Sequence, residues 1–439
     1  MAVHFSRSNP SSWQNWARTH RSNPREWLRP TTEAEVVRAV VRARREKRTM
    51  RVVGASHSWS DIARSDDFAM TLDGMRGFVD LERSRNRVTV LGGTRLREIN
   101  ARLPIYGLAM PILGSIAEQT VAGAIATATH GSSLRHGNLS TLVCGMRLVT
   151  GTGEVLDLDE SDPRLAAARV GLGALGVVTQ VTLQCAPAFR LEERVRSIPE
   201  HEAHASCEGL ARQSEFGKLW WLPGTGFAQW FSMDRTDAPG DVSQAVRWVD
   251  ERLVNGVVFE GLLGLGARFP SLIPRLNRLI GRAYFNPRRS VGRSDRIFNI
   301  AMPPVHRETE YAIPVERTGE ALSALSAMID REKLRVNFVV EARFTRGDDA
   351  WLSPAYGRDS CQIGAYMAQT PEIGPYFDAF ERIMQGLGGR PHWGKEFRMD
   401  ASHLAPRYPE WQRFATLRRE LDPDRVFVNT FVDRVLGAR

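Results

Sequence analysis

The chain has 439 residues, too many for one core of ordinary size, so two or three domains are expected. Its 42% hydrophobic and 25% charged composition is that of a globular protein and excludes a disordered or fibrous chain. The net charge of +9 comes from arginines spread along the sequence. The one dense basic run, Arg42 to Arg48, falls on an amphipathic helical pattern without interleaved aromatics, so nucleic-acid binding is not expected.

The first residues, MAVHFSRSNPSSWQNW, lack an apolar core and read as no secretory signal. The longest apolar stretch, Leu253 to Leu279, is interrupted by Asn255, Glu260, Arg268, Pro270, Pro274 and Arg275, so stable membrane insertion is not expected. Cys144, Cys185, Cys207 and Cys361 are widely spaced with no CxxC pair. That spacing predicts neither a metal site nor a disulfide framework, and it fits a reducing, cytoplasmic setting.

In chain order, Thr32-Glu-Ala-Glu35 is a capping-box signature, and Val36, Val37, Val40 and Val41 follow at helical spacing, predicting a helix to about Lys47. Met50 to Val53 predicts a short buried strand that ends at Gly54. A turn of small residues then presents His57. Backbone N–H groups in such a turn can cradle a pyrophosphate, although a histidine capping its own turn is the commoner case by composition alone. Arg87 to Leu91 predicts a strand closed by Gly92-Gly93, with Thr94 placed to cap a helix whose stripe is Leu96, Ile99 and Leu103. The segment Gly114 to Ser133, GSIAEQTVAGAIATATHGSS, consists mostly of Gly, Ala, Ser and Thr. It can wrap a bulky flat ligand or form a tightly packed helix and turn, and composition leaves both open.

Met146 to Thr150 and Glu154 to Leu158 flank Gly151-Thr-Gly153 and predict a hairpin. Gly171-Leu-Gly-Ala-Leu-Gly176 is a literal GxGxxG. A β-branched strand, Val177 to Leu183, follows it where a dinucleotide turn requires a helix, so an NAD site is rejected. After Pro187 the texture changes. Trp220, Trp221 and Trp230 flank a Gly-rich turn, and Asn337 to Phe344 predicts a strand on which Glu341 and Arg343 share a face and can pair. Arg390-Pro-His-Trp-Gly-Lys395 carries His392 and one of only four lysines, a compact point charge in an arginine-dominated chain. Tyr408 to about Leu421 predicts a helix that turns at Asp422-Pro423. No HExxH, GxSxG, Walker A or paired zinc ligands occur, so no metal is expected.

Several of these segments, in this order, resemble one family. They are Gln14-Asn-Trp-Ala17, VGxxHSxSDIA from Val53, GSIAEQTVAGAIATATHG, Gly137-Asn-Leu-Ser-Thr141 and Ala168 to Gly176. They continue with Glu341 to Asp349, Leu352-Ser-Pro354, Arg358 to Cys361, Gly388 to Lys395 and Leu421 to Phe427. The set resembles the aldonolactone oxidase branch of the vanillyl-alcohol-oxidase-type flavoproteins, which holds the L-gulonolactone oxidases and the alditol oxidases. The last run is closer to the gulonolactone oxidases.

The resemblance implies an α+β fold. A two-subdomain FAD-binding domain would span residues 10–187, a cap with an antiparallel sheet 188–398, and a returning segment 399–439. It implies FAD bound covalently through His57. The cofactor would be lined by Gly54, Ala55, Ser56, Ser58, Gly114, Ser115, Gln119, Thr120, Gly123, Thr127, His130, Gly131 and Val178. It implies oxidation of an aldono-1,4-lactone of the L-gulono type by hydride transfer to flavin N5. Lys395 and Arg343 would stabilise an alkoxide, Glu341 would orient the substrate or Arg343, and His392 would hold its loop. Ser115, Glu341, Arg343, Tyr366 and Lys395 would face the substrate.

Relatives that exclude oxygen carry Ala at the place of Gly114, so glycine there implies O2 as acceptor, giving H2O2. An alditol or polyol oxidase and a lactone dehydrogenase are the alternatives on the same fold. Two positions depart from the pattern. The family's T-G-T-H-G reads Thr127-Ala-Thr-His-Gly131 here, and Tyr366 stands where alditol oxidases carry threonine, which favours a cyclic lactone over a polyol.

Overall fold

A computed structural model describes residues 12–240, 259–300, 302–368 and 370–438. The expectations for the first eleven residues and for the start of the Leu253–Leu279 stretch therefore concern residues outside those described. The rest of that stretch forms two short helices, Phe259–Arg268 and Ile273–Tyr284. No described helix is long and apolar enough to cross a membrane.

The first layer is a parallel sheet of β1 (Glu26–Leu28), β2 (Met50–Val53) and β3 (Phe68–Thr71), with β3 in the middle. Helix α1 (Glu33–Arg45) carries the chain from β1 across to β2, the two strands that flank β3. Thr32 Oγ1 accepts from Glu35 N at 3.3 Å, closing half of the expected capping box. The other half differs, because the Glu35 carboxylate accepts from Thr31 N at 2.7 Å rather than from the cap residue itself. Helix α1 buries Val36, Val40 and Ala43, while Val41 is exposed, and it ends two residues before the expected Lys47.

The second layer is an antiparallel sheet. It contains β4 (Phe78–Glu82), β5 (Arg87–Leu91), β6 (Val143–Val149), β7 (Val155–Asp159) and β8 (Val177–Gln184), in the order β7-β6-β8-β5-β4. Burial alternates along β8, with Val177, Thr179, Val181 and Leu183 inside. The hairpin expected around Gly151-Thr-Gly153 is present, with Val149 opposite Val155. Helix α2 (Leu96–Arg102) is not capped by Thr94 as expected. The Thr94 hydroxyl instead donates to Leu91 O at 2.6 Å, and the Glu98 side chain accepts from Arg95 N at 3.0 Å. Helix α3 (Val121–Ala126) is capped by Thr120, whose Oγ1 accepts from Gly123 N at 3.3 Å.

The third layer is an eight-stranded antiparallel sheet. Its strands are β9 (Arg190–Pro199), β10 (Phe216–Trp221), β11 (Phe227–Thr236), β12 (Arg288–Arg293), β13 (Arg307–Pro314), β14 (Val340–Thr345), β15 (Ser360–Met367) and β16 (Arg390–Pro391). They run in the order β12-β9-β11-β10-β14-β15-β13-β16. The expected strand at Asn337 starts only at Val340.

Strand alternation gives this sheet two unlike faces. Leu219, Trp221, Ala342, Phe344, Ile363 and Ile313 form a buried apolar back, covered by helices α4 (Glu200–Gln213) and α5 (Thr318–Arg331). The register puts Lys218 opposite Arg343 and Trp220 opposite Glu341. It also puts Arg343 opposite Gln362, Gly364 opposite Glu310 and Tyr366 opposite Glu308, all on the other face.

The end of the chain returns to the first sheet, where Met50 N donates to Val426 O at 2.7 Å and Gly151 N to Leu421 O at 2.8 Å. Arg51 bolts this junction. Its buried guanidinium donates to Ile62 O (2.9 Å), Gly173 O (3.0 Å), Phe427 O (2.9 Å) and Leu172 O (2.8 Å). Burial pulls its pKa down to about 10, so the group stays charged. Ala128, at the departure noted above, has φ 57, a left-handed conformation in which glycine is unstrained and a Cβ is not.

Two outcomes are expected. Arg51→Lys keeps the charge but loses the planar fork, leaving carbonyls unpaired. It should cost roughly 2–4 kcal/mol in urea unfolding, and an unchanged midpoint would remove the bolting role. Ala128→Gly relieves backbone strain and should stabilise the protein by about 1 kcal/mol, whereas a lower melting temperature would show the strain to be absent.

Candidate active site

Strand β2 ends at Gly54, and the chain leaves the sheet through a turn with Ser56 at φ 59. Trp13 Nε1 donates to Ser56 Oγ at 2.8 Å and Trp16 N to Ser56 O at 2.8 Å, so the turn is held from outside. Among the described residues, the N–H groups of Ala55, Ser56, His57 and Ser58 donate no hydrogen bond. Successive free amides of this kind form an anion cradle.

The turn borders a cavity with about 1160 Å³ of empty space, open mouth included. Gly54, Ala55, Ser56, His57, Ser58, Gln119, Thr120, Gly123, Thr127 and Val178 all line it. Glycine is needed at its narrow points. A Cβ on Gly54 would stand 2.6 Å from Thr120 Oγ1, and one on Gly92 would stand 2.2 Å from Val178 O.

Four expected cofactor residues lie elsewhere. Ser115 and Gly131 line a second cavity. Gly114 O accepts from Asn299 Nδ2 at 2.8 Å. His130 is buried, with Nε2 at 2.9 Å from Glu310 Oε1. The large cavity also takes residues that the sequence did not single out for it, among them Trp13, Arg51, Asp73 and Gly93. Gly171 to Gly176 is another such stretch. As expected, β8 follows it, so it is no Rossmann turn. Its backbone nevertheless runs along the cavity wall, with φ 62 at Gly173 and 154 at Gly176. Its small-residue texture, shared with Gly114 to Ser133, was the available signal.

His57 lines the cavity and makes no hydrogen bond among the described residues. Burial, then the positive charges of Arg95 and Lys395, lower its pKa to about 4. The imidazole is therefore neutral at neutral pH, with a nitrogen lone pair available. Trp59 N donates to Gly394 O at 2.6 Å, and Lys395 Nζ lies 4.0 Å from the Trp59 ring centroid. These contacts tie the His57 turn to the Lys395 loop.

That loop meets the polar face of the eight-stranded sheet in a buried ion network. Lys395 Nζ pairs with Glu308 and lies 3.7 Å from Glu310 Oε2. Arg343 Nη2 donates to Glu310 Oε1 at 2.8 Å, and its Nε lies 3.3 Å from Glu341 Oε2. Glu341 also accepts from Trp220 Nε1 at 2.7 Å and Tyr366 OH at 2.6 Å. Burial alone would raise the Glu341 pKa, but Arg343 and Lys218 hold it at about 2. Burial opposes ionisation of Glu310 as well, and Arg343, His130 and Lys395 keep it well below the usual range. His392 accepts from Gly394 N at 3.1 Å through Nδ1, and burial keeps its pKa far below normal, so it is a neutral loop-holding group.

The expected Glu341, Arg343, Tyr366, His392 and Lys395 thus meet in one place. Glu308, Glu310 and Lys218 were not expected there. Glu308 and Glu310 alternate on one strand in the manner that singled out Glu341 and Arg343. Lys218 belongs to the same small set of lysines as Lys395.

Two families match this chain: an FAD binding domain over residues 24–159 and D-arabinono-1,4-lactone oxidase over residues 181–435. An L-gulono-1,4-lactone dehydrogenase of Mycobacterium tuberculosis is 39% identical, covering 97% of this chain and 99% of that protein. The L-gulonolactone oxidase of Bos taurus is 34% identical, covering 96% and 98%. Among solved structures, a cholesterol oxidase of Brevibacterium sterolicum shares the fold at a TM-score of 0.82 and 18% identity, over 97% of each chain. With its glycine-lined cavity and polar-faced eight-stranded sheet, the chain belongs to the D-arabinono-1,4-lactone oxidase family, in the aldonolactone oxidase branch of the vanillyl-alcohol-oxidase-type FAD proteins.

Proposed function

We propose that this protein uses FAD to oxidise an aldono-1,4-lactone of the L-gulono type at a hydroxyl-bearing carbon, with dioxygen as acceptor. The family match and the names of its relatives support the substrate class. The observation that carries the reading is the pair of cations, buried Arg343 and partly buried Lys395, held by carboxylates beside the His57 turn. In this reading residues 10–187 hold the cofactor, 188–398 cap it and 399–439 return to brace it.

Bound FAD supplies the acceptor for the electrons and hydrogen that leave the substrate. The free amides of Ala55 to Ser58 fit its pyrophosphate, and the small-residue walls admit its bulk. His57, neutral and free of hydrogen bonds, is the residue suited to a covalent histidyl link. Arg343 and Lys395 stabilise the negative charge that develops on the substrate oxygen as its proton leaves, in a site where water is largely excluded. Glu341, held by Trp220 and Tyr366, stays ionised and orients Arg343. Ser115 offers a hydroxyl from the facing segment. The four cysteines are all free and buried, which supports a cytoplasmic setting.

Relatives carry both oxidase and dehydrogenase names. Gly114 favours the oxidase. A Cβ there would lie 3.2 Å from both His130 O and Thr129 Cγ2, so alanine would fit only if those neighbours gave by a few tenths of an ångström.

The acid-precipitated wild type should give a flavin-fluorescent band in a denaturing gel, and His57→Ala a dark one. Turnover should be seen on L-gulono-1,4-lactone or L-galactono-1,4-lactone and be weak on xylitol. Faster turnover on xylitol would replace the lactone reading with a polyol one. In stopped flow, Gly114→Ala should slow reoxidation by air about tenfold or more, a barrier of ~1.4 kcal/mol, while leaving reduction by lactone near wild type. Equal reoxidation in both would remove the gating role.

A further inference from the structure

The polar face of the eight-stranded sheet borders a second cavity, with about 520 Å³ of empty space. Phe216, Phe231 and Phe298 wall it with rings, Lys218 and Arg343 lie buried within it, and Arg288 stands at its rim with a half-exposed side chain.

Lys218 is the feature that needs an explanation. The residue is 9% exposed, yet its ammonium, with three donors, makes no hydrogen bond among the described residues. Glu341 Oε1 is 3.5 Å away, an ion-pair distance too long for a good hydrogen bond. That oxygen is already served by Trp220 Nε1 at 2.7 Å, and the other oxygen of Glu341 by Tyr366 OH at 2.6 Å. The rings of Trp220 and Phe231, with centroids 4.5 and 5.0 Å from Nζ, flank the charge but supply no acceptor.

Arg343, directly opposite on the neighbouring strand, spends Nη2 on Glu310 and leaves Nη1 without a hydrogen bond. The Ser115 hydroxyl, on the same cavity, is also unbonded. The charged residues of the lining are Lys218, Arg343, Arg288 and one carboxylate, Glu193; Glu341 and Glu310, just behind the wall, offset Lys218 and Arg343 but leave their outward N–H groups unused. A buried cation with unmet donors is costly until an acceptor, best an anionic one, arrives.

We propose that this cavity is an anion site defined by Lys218, and that it takes the carboxylate of an open-chain aldonic acid. The ligand class rests on the lactone reading above. Water adds to the carbonyl of an aldono-1,4-lactone and the ring C–O bond breaks. The ring oxygen becomes one further hydroxyl, and the new carboxyl group releases its proton to water, leaving a polyhydroxy carboxylate. Such an anion offers two acceptor oxygens to Lys218 and Arg343 and hydroxyls to Ser115. Because it occupies Arg343, it competes with the lactone. The enzyme is thereby inhibited by the hydrolysed form of its own substrate.

The test titrates holoenzyme with sodium L-gulonate and, as the neutral control, xylitol. Binding is read from the change in flavin absorbance and from inhibition of lactone turnover. L-Gulonate should bind and compete. Lys218→Met should weaken it about 30-fold, Lys218→Arg should stay within about threefold of wild type, and xylitol should respond to neither change. Arg288→Gln, at the exposed rim, should weaken L-gulonate several-fold, which keeps the site testable if Lys218→Met loses FAD. L-Gulonate affinity unchanged in Lys218→Met and Arg288→Gln would overturn the site, as would equal weakening of L-gulonate and xylitol. A holoenzyme that binds L-gulonate through Lys218 yet oxidises no lactone would support the site and remove the lactone reading instead.

Discussion

Six charged side chains, five of them buried and Lys395 partly so, meet between the eight-stranded sheet and the segment that faces it, and their arrangement depends on mutual neutralisation. Glu308, Glu310 and Glu341 stand against Lys218, Arg343 and Lys395. Any one of them alone in this interior would be driven to its neutral form or would unfold its surroundings. The balance holds only if the strands are in register. A slip of one residue on β14 would turn Glu341 and Arg343 onto the apolar back and bring Ala342 and Phe344 forward. The network also crosses between the two halves of the molecule. His130 reaches Glu310, and Ser133 N donates to Phe344 O at 2.7 Å, so the eight-stranded sheet is held to the small-residue segment through the network itself.

The cofactor side obeys the opposite rule. Charge is scarce there, and space is kept by omitting side chains. Gly54, Gly92, Gly173 and Gly176 each stand where a Cβ would collide with a neighbour or where φ is positive. Chain so poor in side chains cannot brace itself, and the bracing is imported. Arg51 gathers carbonyls from three separate segments, and Asn429 Nδ2 donates to Asp61 O, Ile62 O and Arg64 O beside the His57 turn. The end of the chain thus supports a loop near its beginning.

The small cavity is walled by two members of this network and the large one by none, and their chemistry differs accordingly. The large one presents free amides and a neutral imidazole, suited to an anionic but flat and bulky group. The small one presents cations between rings, suited to a compact oxygen-rich group. Arg343 belongs to the small cavity and to the network at once, so occupancy of that cavity bears on the charge balance at the reacting end.

Local rules made much of this legible from the residues alone. Helix α1 and the Gly151-Thr-Gly153 hairpin follow from spacing over a few residues, as does the shared face of Glu341 and Arg343. The ordered motifs identified the family, and they singled out His57 and Lys395 as the residues to look for. What the residues alone did not decide is which distant charges meet. Glu310 lies 33 positions from Arg343 in sequence, and Glu308 joins Lys395 across still more chain, so their pairing exists only once β13 lies beside β15 and the Lys395 loop closes over it. Thr94 likewise left its expected cap because its hydroxyl oxygen accepts from Gly77 N, a distant segment, while its proton goes to Leu91 O at the strand end. Periodicity fixes the face on which a side chain lies. The order of strands fixes its partner, and in a buried site the partner decides whether a charge can be there at all.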